Sequence, residues 1–276
     1  MTLARIERIL ILAKTYPSPS AKHVETSCVA GINQEGLMRR LYPVPFRMIE
    51  QGQQFKKWQW IEARVEKATK DHRPESHKLS VDTIEACEVI DPRNAWADRW
   101  GWLDRIPAFQ SFDAVDVARL ADALSLALLR PKRLLGLDIT KARHPNWTQE
   151  EREKLAREQM QGDLFSEAEA KQQVKQLRKV PYDFHYRYLC ETPEGEKEYR
   201  HKIVDWEAGA LFWNCHREHG PAWEAPFRAK LEDELGSKDL MFLMGNRHRF
   251  QDQWLIVSLF YPPKRMPADD GQDSLF

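Results

Sequence analysis

An α+β fold is what this sequence predicts, and three observations predict it. Short apolar runs of strand length, broken by turn residues, fill the N-terminal third. One long helical periodicity follows, and the last third combines a hairpin pattern with two more helical stripes.

Residues 8–16 contain Ile9, Leu10, Ile11, Leu12 and Ala13, a continuous apolar run stopped by Pro17 and Pro19; it reads as a strand buried on both faces. Residues 25–32 read as a second strand, 33–36 as a turn and 37–42 as a third strand, so antiparallel pairing is expected. Residues 57–67 alternate: Ile61, Ala63 and Val65 fall on one face, and Trp58, Trp60, Glu62 and Arg64 on the other. A polar loop reaching Lys78 precedes an expected strand at 79–84. Trp96, Trp100 and Trp102 lie in an acidic stretch without regular pattern. The spacing then predicts a helix over 112–129, with Ser111 as N-cap, Val117, Leu120, Ala121, Leu124 and Leu128 in register, and Pro131 as its stop. A strand at 133–139 completes a first unit, residues 1–145, with an antiparallel sheet that is open or barrel-like.

Residues 146–178 read as a charged connector, in which Thr148 with Glu151 and Ser166 with Glu169 form capping boxes for two short helices. A smaller α+β unit spans 179–262. Its hairpin, 182–190 with 198–204, turns around Pro193, Glu194 and Gly195. Asp205 caps a helix that Gly220 and Pro221 end, and Trp223, Phe227, Leu231 and Leu235 make an amphipathic stripe. A strand pair at 240–244 and 254–260 leads to a polar tail, 263–276.

Lys and Arg together number 42, as do Asp and Glu, so the chain is neutral overall. The charge is uneven, however: residues 1–80 carry 14 cations against 8 acids, and residues 81–125 carry 4 against 9. A basic segment backed by an acidic one suits a nucleic-acid face. No stretch approaches the roughly 18 to 20 apolar residues of a membrane helix and no signal-peptide pattern opens the chain, so a cytoplasmic protein without a membrane partner is expected. Cys28, Cys87, Cys190 and Cys215 are widely spaced, as reduced thiols are. Gly-rich phosphate loops, nucleophile elbows and HExxH motifs are absent.

Three groups of residues could carry chemistry. Trp58 and Trp60 share a strand face with Arg64, flanked by Lys56, Lys57, Lys67, Lys70, Arg73 and Lys78; aromatic planes among cations are what base stacking and phosphate contact require. The competing expectation is that both rings pack under a second layer of the domain. Asp71, Glu75 and His77 offer acid, base or metal-ligand chemistry to a nuclease or glycosylase. Cys190, His201, Cys215 and His219 could hold zinc or another divalent metal, since Cys215 and His219 stand one helical turn apart.

Gln272, Asp273, Ser274, Leu275 and Phe276 form a glutamine, two variable residues and Leu-Phe. This resembles the peptide by which many bacterial DNA-processing proteins dock on the ring-shaped sliding clamp. The resemblance implies that Leu275 and Phe276 fill an apolar pocket on the clamp while Gln272 hydrogen-bonds beside it. A second copy, Gln161 to Phe165, lies in the connector, where Leu164 and Phe165 suit an anchor between two helices. Residues 40–46 and 256–263 vaguely resemble strings of uncharacterised bacterial proteins and imply no activity. The expected function is a bacterial DNA-binding or DNA-processing protein recruited to the clamp, in repair, mobile-element maintenance or phage defence. The alternatives are an enzyme that cleaves foreign DNA or excises modified bases, and a non-enzymatic protein- or RNA-binding adaptor.

Overall fold

The computed structural model describes residues 4–19, 25–46, 49, 51–146, 148–150 and 178–265. The capping-box helices, the inner copy at 161–165 and the peptide containing Gln272, Leu275 and Phe276 lie outside the described residues.

The α+β fold is as expected, and its N-terminal sheet closes on itself. β1 (Arg5–Lys14), β3 (Glu25–Asn33), β4 (Met38–Val44), β5 (Gln59–Lys67) and β6 (Ser76–Leu79) form the barrel. Their order is β1-β3-β4-β6-β5, and β5 pairs back onto β1. All pairs are antiparallel except β4 with β6. This is a five-stranded Greek-key barrel of OB-fold type. β2 (Ser18–Pro19) adds to β3, and β7 (Glu85–Val89) adds to β5.

The apolar run in β1 is uninterrupted because both of its faces are buried. Ile9 and Ile11 point into the barrel with Val29, Leu41, Ile61, Ala63 and Val65, while Leu10 and Leu12 point outward into a second cluster. Each fully buried Ile or Leu contributes about 1.5 to 3 kcal/mol. β1 can serve two partners only by bending, and a bulge between Ile11 and Ala13 supplies the bend. Gly31 sits where β3 crosses it, and a Cβ there would lie 2.5 Å from the Leu10 carbonyl oxygen.

The second sheet has the order β10-β11-β12-β14-β13-β9-β8. Its strands are β8 (Ala108–Phe109), β9 (Leu126–Leu129), β10 (Arg133–Lys141), β11 (Tyr182–Thr192), β12 (Gly195–Ile203), β13 (Met241–Asn246) and β14 (Trp254–Phe260). Three helices cover one face: α2 (Phe112–Asp122), α3 (Trp206–His219) and α4 (Glu224–Arg228), the last continuing as a π-helical turn over Ala229–Glu234. The predicted stripe Trp223, Phe227, Leu231 and Leu235 is buried there, and Ser111 and Asp205 cap α2 and α3 through the Ala114 and Ala208 amides. The opposite face of β9, β13 and β14 packs on the outside of the barrel. Leu126, Leu128, Met241, Leu243, Val257 and Phe260 meet Leu10, Leu12, Ala30, Ile32, Trp58 and Trp60 there. In the stretch expected to be irregular, α1 (Ala97–Leu103) inserts Trp100 and Leu103 into that seam, and the 3-10 turn before it inserts Trp96. No described helix is long and apolar enough to cross a membrane.

Three boundaries differ from expectation. The helix expected to reach residue 129 stops at Asp122, and residues 126–129 are a strand, buried on both faces between α2 and the barrel. The strand expected at 79–84 is divided: β6 ends at Leu79, and a 3-10 turn at Val81–Thr83 leads into β7. Residues 108–141, assigned from sequence to the first unit, form four elements of the second one, because β8, β9 and β10 hydrogen-bond within its sheet.

Candidate nucleic-acid interface

The aromatic face predicted on β5 is an internal seam. Alternation holds, with Ile61, Ala63 and Val65 inside the barrel, but Trp58 and Trp60 are only 3% and 5% exposed. Trp58 lies 5.5 Å from Trp96 and 5.3 Å from Phe260 between ring centroids, and the Arg99 guanidinium stacks 4.9 Å from it. The part of the outer barrel surface that carries Trp58 and Trp60 is covered by the chain's own second sheet and by α1, so almost none of either ring is open at the predicted face. Several flanking cations are likewise spent. The Lys57 ammonium donates to the Leu259 carbonyl at 2.6 Å and pairs with Glu207, and Lys67 donates to the Pro74 and Ser76 carbonyls. Arg73 is buried against Asp71 and Asn246, and Lys78 pairs with Glu66. Lys56, Arg64 and Lys70 remain exposed.

Asp71, Glu75 and His77 are brought close together by the β5–β6 loop, yet as a clasp between the two units. Glu75 accepts from the Ser125 amide at 3.0 Å, the Ser125 hydroxyl at 2.6 Å and the Leu126 amide at 3.4 Å. Asp71 accepts from Arg73 and from the Ser76 hydroxyl. Burial pushes its carboxyl up, but those donors outweigh burial and hold it well below the usual carboxylate range. Burial pushes the His77 ring down, and its Nδ1 lies 2.8 Å from the Glu75 carbonyl oxygen. Arg73 continues the clasp, donating to the Asn246 carbonyl at 2.7 Å. The Asp71 and Glu75 carboxylates are thus turned to structural partners, and Glu75 and Arg73 join the two units.

The proposed metal ligands are not assembled. Cys190 and Cys215 are buried, and burial raises the Cys190 thiol to about 11. The His201 Nδ1 faces the Tyr188 hydroxyl at 2.8 Å, with its ring driven down to about 4 by burial, and His219 is half-exposed beside Glu218. Among the described residues no group of three His, Cys, Asp or Glu side chains is placed to hold a metal ion. Helical spacing placed Cys215 and His219 one turn apart, but packing turned the first inward and left the second outside.

A different feature collects six cations, three of them without an ion pair among the described residues. A cleft of about 1100 Å³ opens along the N-terminal half of the edge strand β10, walled by the β9–β10 turn, the segment after α4 and the segment after β14. Arg130, Lys132, Arg133, Lys238, Lys264 and Arg265 line it, against Glu191, Glu232, Asp233 and Asp239. None of Asp71, Glu75 and His77 does. The carboxylates are mostly engaged: Asp239 holds Arg130 at 3.1 Å, Glu191 holds Lys132, and Glu232 accepts from the Leu137 amide and Arg228. Arg265 lies 3.6 Å from the Trp100 ring centroid and pairs with Asp104 at 2.7 Å. Arg133, Lys238 and Lys264 form no ion pair among the described residues. These six cations come from three separate places in the chain, 130–133, 238 and 264–265, and only the fold brings those places together.

Fold and cleft together define a two-unit α+β protein, an OB-type barrel docked through its outer face on a mixed sheet that carries an open basic cleft. Residues 108–276 match the family described as a domain of unknown function, DUF8757, and the chain belongs to that family. Residues 5–105 match a second such family, DUF8758. The division falls between α1 and β8, where the barrel unit gives way to the second sheet. No curated protein matches the chain in sequence.

Proposed function

We propose that this is a DNA-binding protein recruited to the bacterial sliding clamp through Gln272, Leu275 and Phe276. The supporting observation is the cleft, in which Arg133, Lys238 and Lys264 stand together without ion pairs among the described residues. Cations left unneutralised in one concavity are suited to a phosphodiester backbone, whose contacts dominate affinity and release counterions. Arg265, the last described residue, lines the same cleft. From there a tail of about ten residues reaches some 30 Å if extended. The clamp peptide would therefore act near the bound strand, and tethering would raise local concentration without tight intrinsic DNA affinity.

Two measurements test this. Full-length protein should bind purified bacterial sliding clamp, and truncation after Gly271 or the pair Leu275→Ala and Phe276→Ala should abolish binding. Independently, binding to a single-stranded oligonucleotide should weaken with salt. The triple replacement Arg133→Ala, Lys238→Ala, Lys264→Ala should lower the log–log salt slope by about two. Unchanged clamp binding in the tail variants overturns the recruitment, and an unchanged slope overturns the cleft.

A further inference from the structure

α1 separates the basic cleft from a smaller pocket on the barrel. Trp100 contributes to the first through its contact with Arg265. Trp102, two residues later, lines the second together with Arg8, Gln34, Trp60, Glu88 and Arg105. Asp104, which holds Arg265, and Arg105 are sequence neighbours, so the two recesses lie around one corner of the molecule.

The smaller pocket measures about 340 Å³, at the lower end of the size of small-molecule sites. Its walls are two indoles packed edge to face, with Trp60 and Trp102 centroids 4.8 Å apart at 79°. Each indole carries a guanidinium: Arg8 lies 5.3 Å from the Trp60 centroid and Arg105 lies 4.2 Å from that of Trp102. Arg8 is anchored by Glu88 and, at 4.0 Å, by Glu62, while its Nε is buried without a hydrogen bond. The Arg105 guanidinium is exposed, donates to the Gln34 carbonyl at 3.3 Å, and has no ion pair among the described residues.

Guanidinium planes backed by aromatic rings are stacking platforms for bases, because each plane presents a flat, weakly hydrated π-surface. The flanking Glu88 carboxylate and Gln34 can meet the polar edge of a base, and Arg105 is free to reach the adjoining phosphate. We propose that this pocket takes one unstacked nucleobase of single-stranded DNA whose backbone follows the basic cleft. The proposal rests on the DNA-binding reading above and adds to it a base-dependent contact.

The test compares full-length protein binding to a twelve-nucleotide oligothymidylate and to an abasic backbone of the same length, at one salt concentration. Base stacking should make the thymidylate bind roughly tenfold more tightly. Trp102→Ala and Arg105→Ala should each reduce that ratio of thymidylate to abasic affinity, and Arg105→Ala should also weaken abasic binding by the one phosphate contact it removes. Arg105 is exposed, so its variant keeps the test valid if Trp102→Ala unfolds the barrel. Equal affinity of the wild type for both oligomers, with salt dependence retained, overturns the pocket and leaves the DNA reading standing. So does a Arg105→Ala variant that keeps the full base-dependent advantage. Binding of neither oligomer overturns both.

Discussion

Glu7 is the most consequential ionised side chain in the barrel. It lies 8% exposed at the start of β1, with Arg39 donating to both of its oxygens at 2.9 and 2.7 Å and the Asn33 amide at 2.8 Å. Burial pushes the carboxyl up, but Arg39 and Asn33 outweigh it and hold it at about 2, against an ordinary value of 4.5. A carboxyl depressed on folding stabilises the native state above its unfolded value and loses that contribution as pH falls through the folded one. Glu7→Gln should therefore flatten the acid limb of stability between about pH 4.5 and 2, measured by thermal unfolding across that range. Glu7→Ala should cost about 3 to 5 kcal/mol at neutral pH by stranding buried Arg39. An acid limb unchanged in Glu7→Gln would remove Glu7 from its cause.

At the scale of single elements, α2 shows how a helix ends without the usual signal. Ala123 adopts φ 54°, ψ 28°, the left-handed C-cap conformation that glycine ordinarily takes. Holding an L-residue there costs roughly 1 to 2 kcal/mol, of which glycine's greater unfolded-state freedom would return part. Ala123→Gly should therefore stabilise the protein by about 0.5 to 1 kcal/mol, seen as a rise of a few degrees in Tm; a fall would mean that the exposed methyl group contributes contacts. The apolar spacing of Leu124 and Leu128 continued the helical register past this point, so the strand of residues 126–129 was illegible locally. It forms because β13 and β8 flank it and two cores claim its alternate side chains.

For the whole molecule, the decisive feature is how the two units dock. The seam joins apolar surface to a polar clasp in which Glu75, buried at 7% exposure, satisfies the Ser125 and Leu126 amides. Removing that carboxylate leaves buried donors unpaired, at about 1 to 3 kcal/mol. Glu75→Ala should speed proteolysis between residues 105 and 108 and separate the unfolding transitions of the two units in calorimetry. A single unshifted transition would show that the apolar seam alone sets the coupling. The same docking covers the outer surface of β1, β3 and the start of β5, and the cleft and the α1 corner lie outside that seam.

The sequence by itself determined the α+β class, the doubly buried β1, the alternation of β5, the caps of α2 and α3 and the terminal strand pair. Each is written in residues a few positions apart, within reach of strand and helix periodicity. The tertiary structure decided what those elements face. Barrel closure, the transfer of residues 108–141 to the second sheet, the burial of Trp58 and Trp60, the use of Asp71 and Glu75 as docking groups and the gathering of cations from residues 130–133, 238 and 264–265 all depend on contacts between residues far apart in the chain. Periodicity specifies that a side chain points to one side of its element; only packing specifies whether water, a ligand or the protein itself lies there.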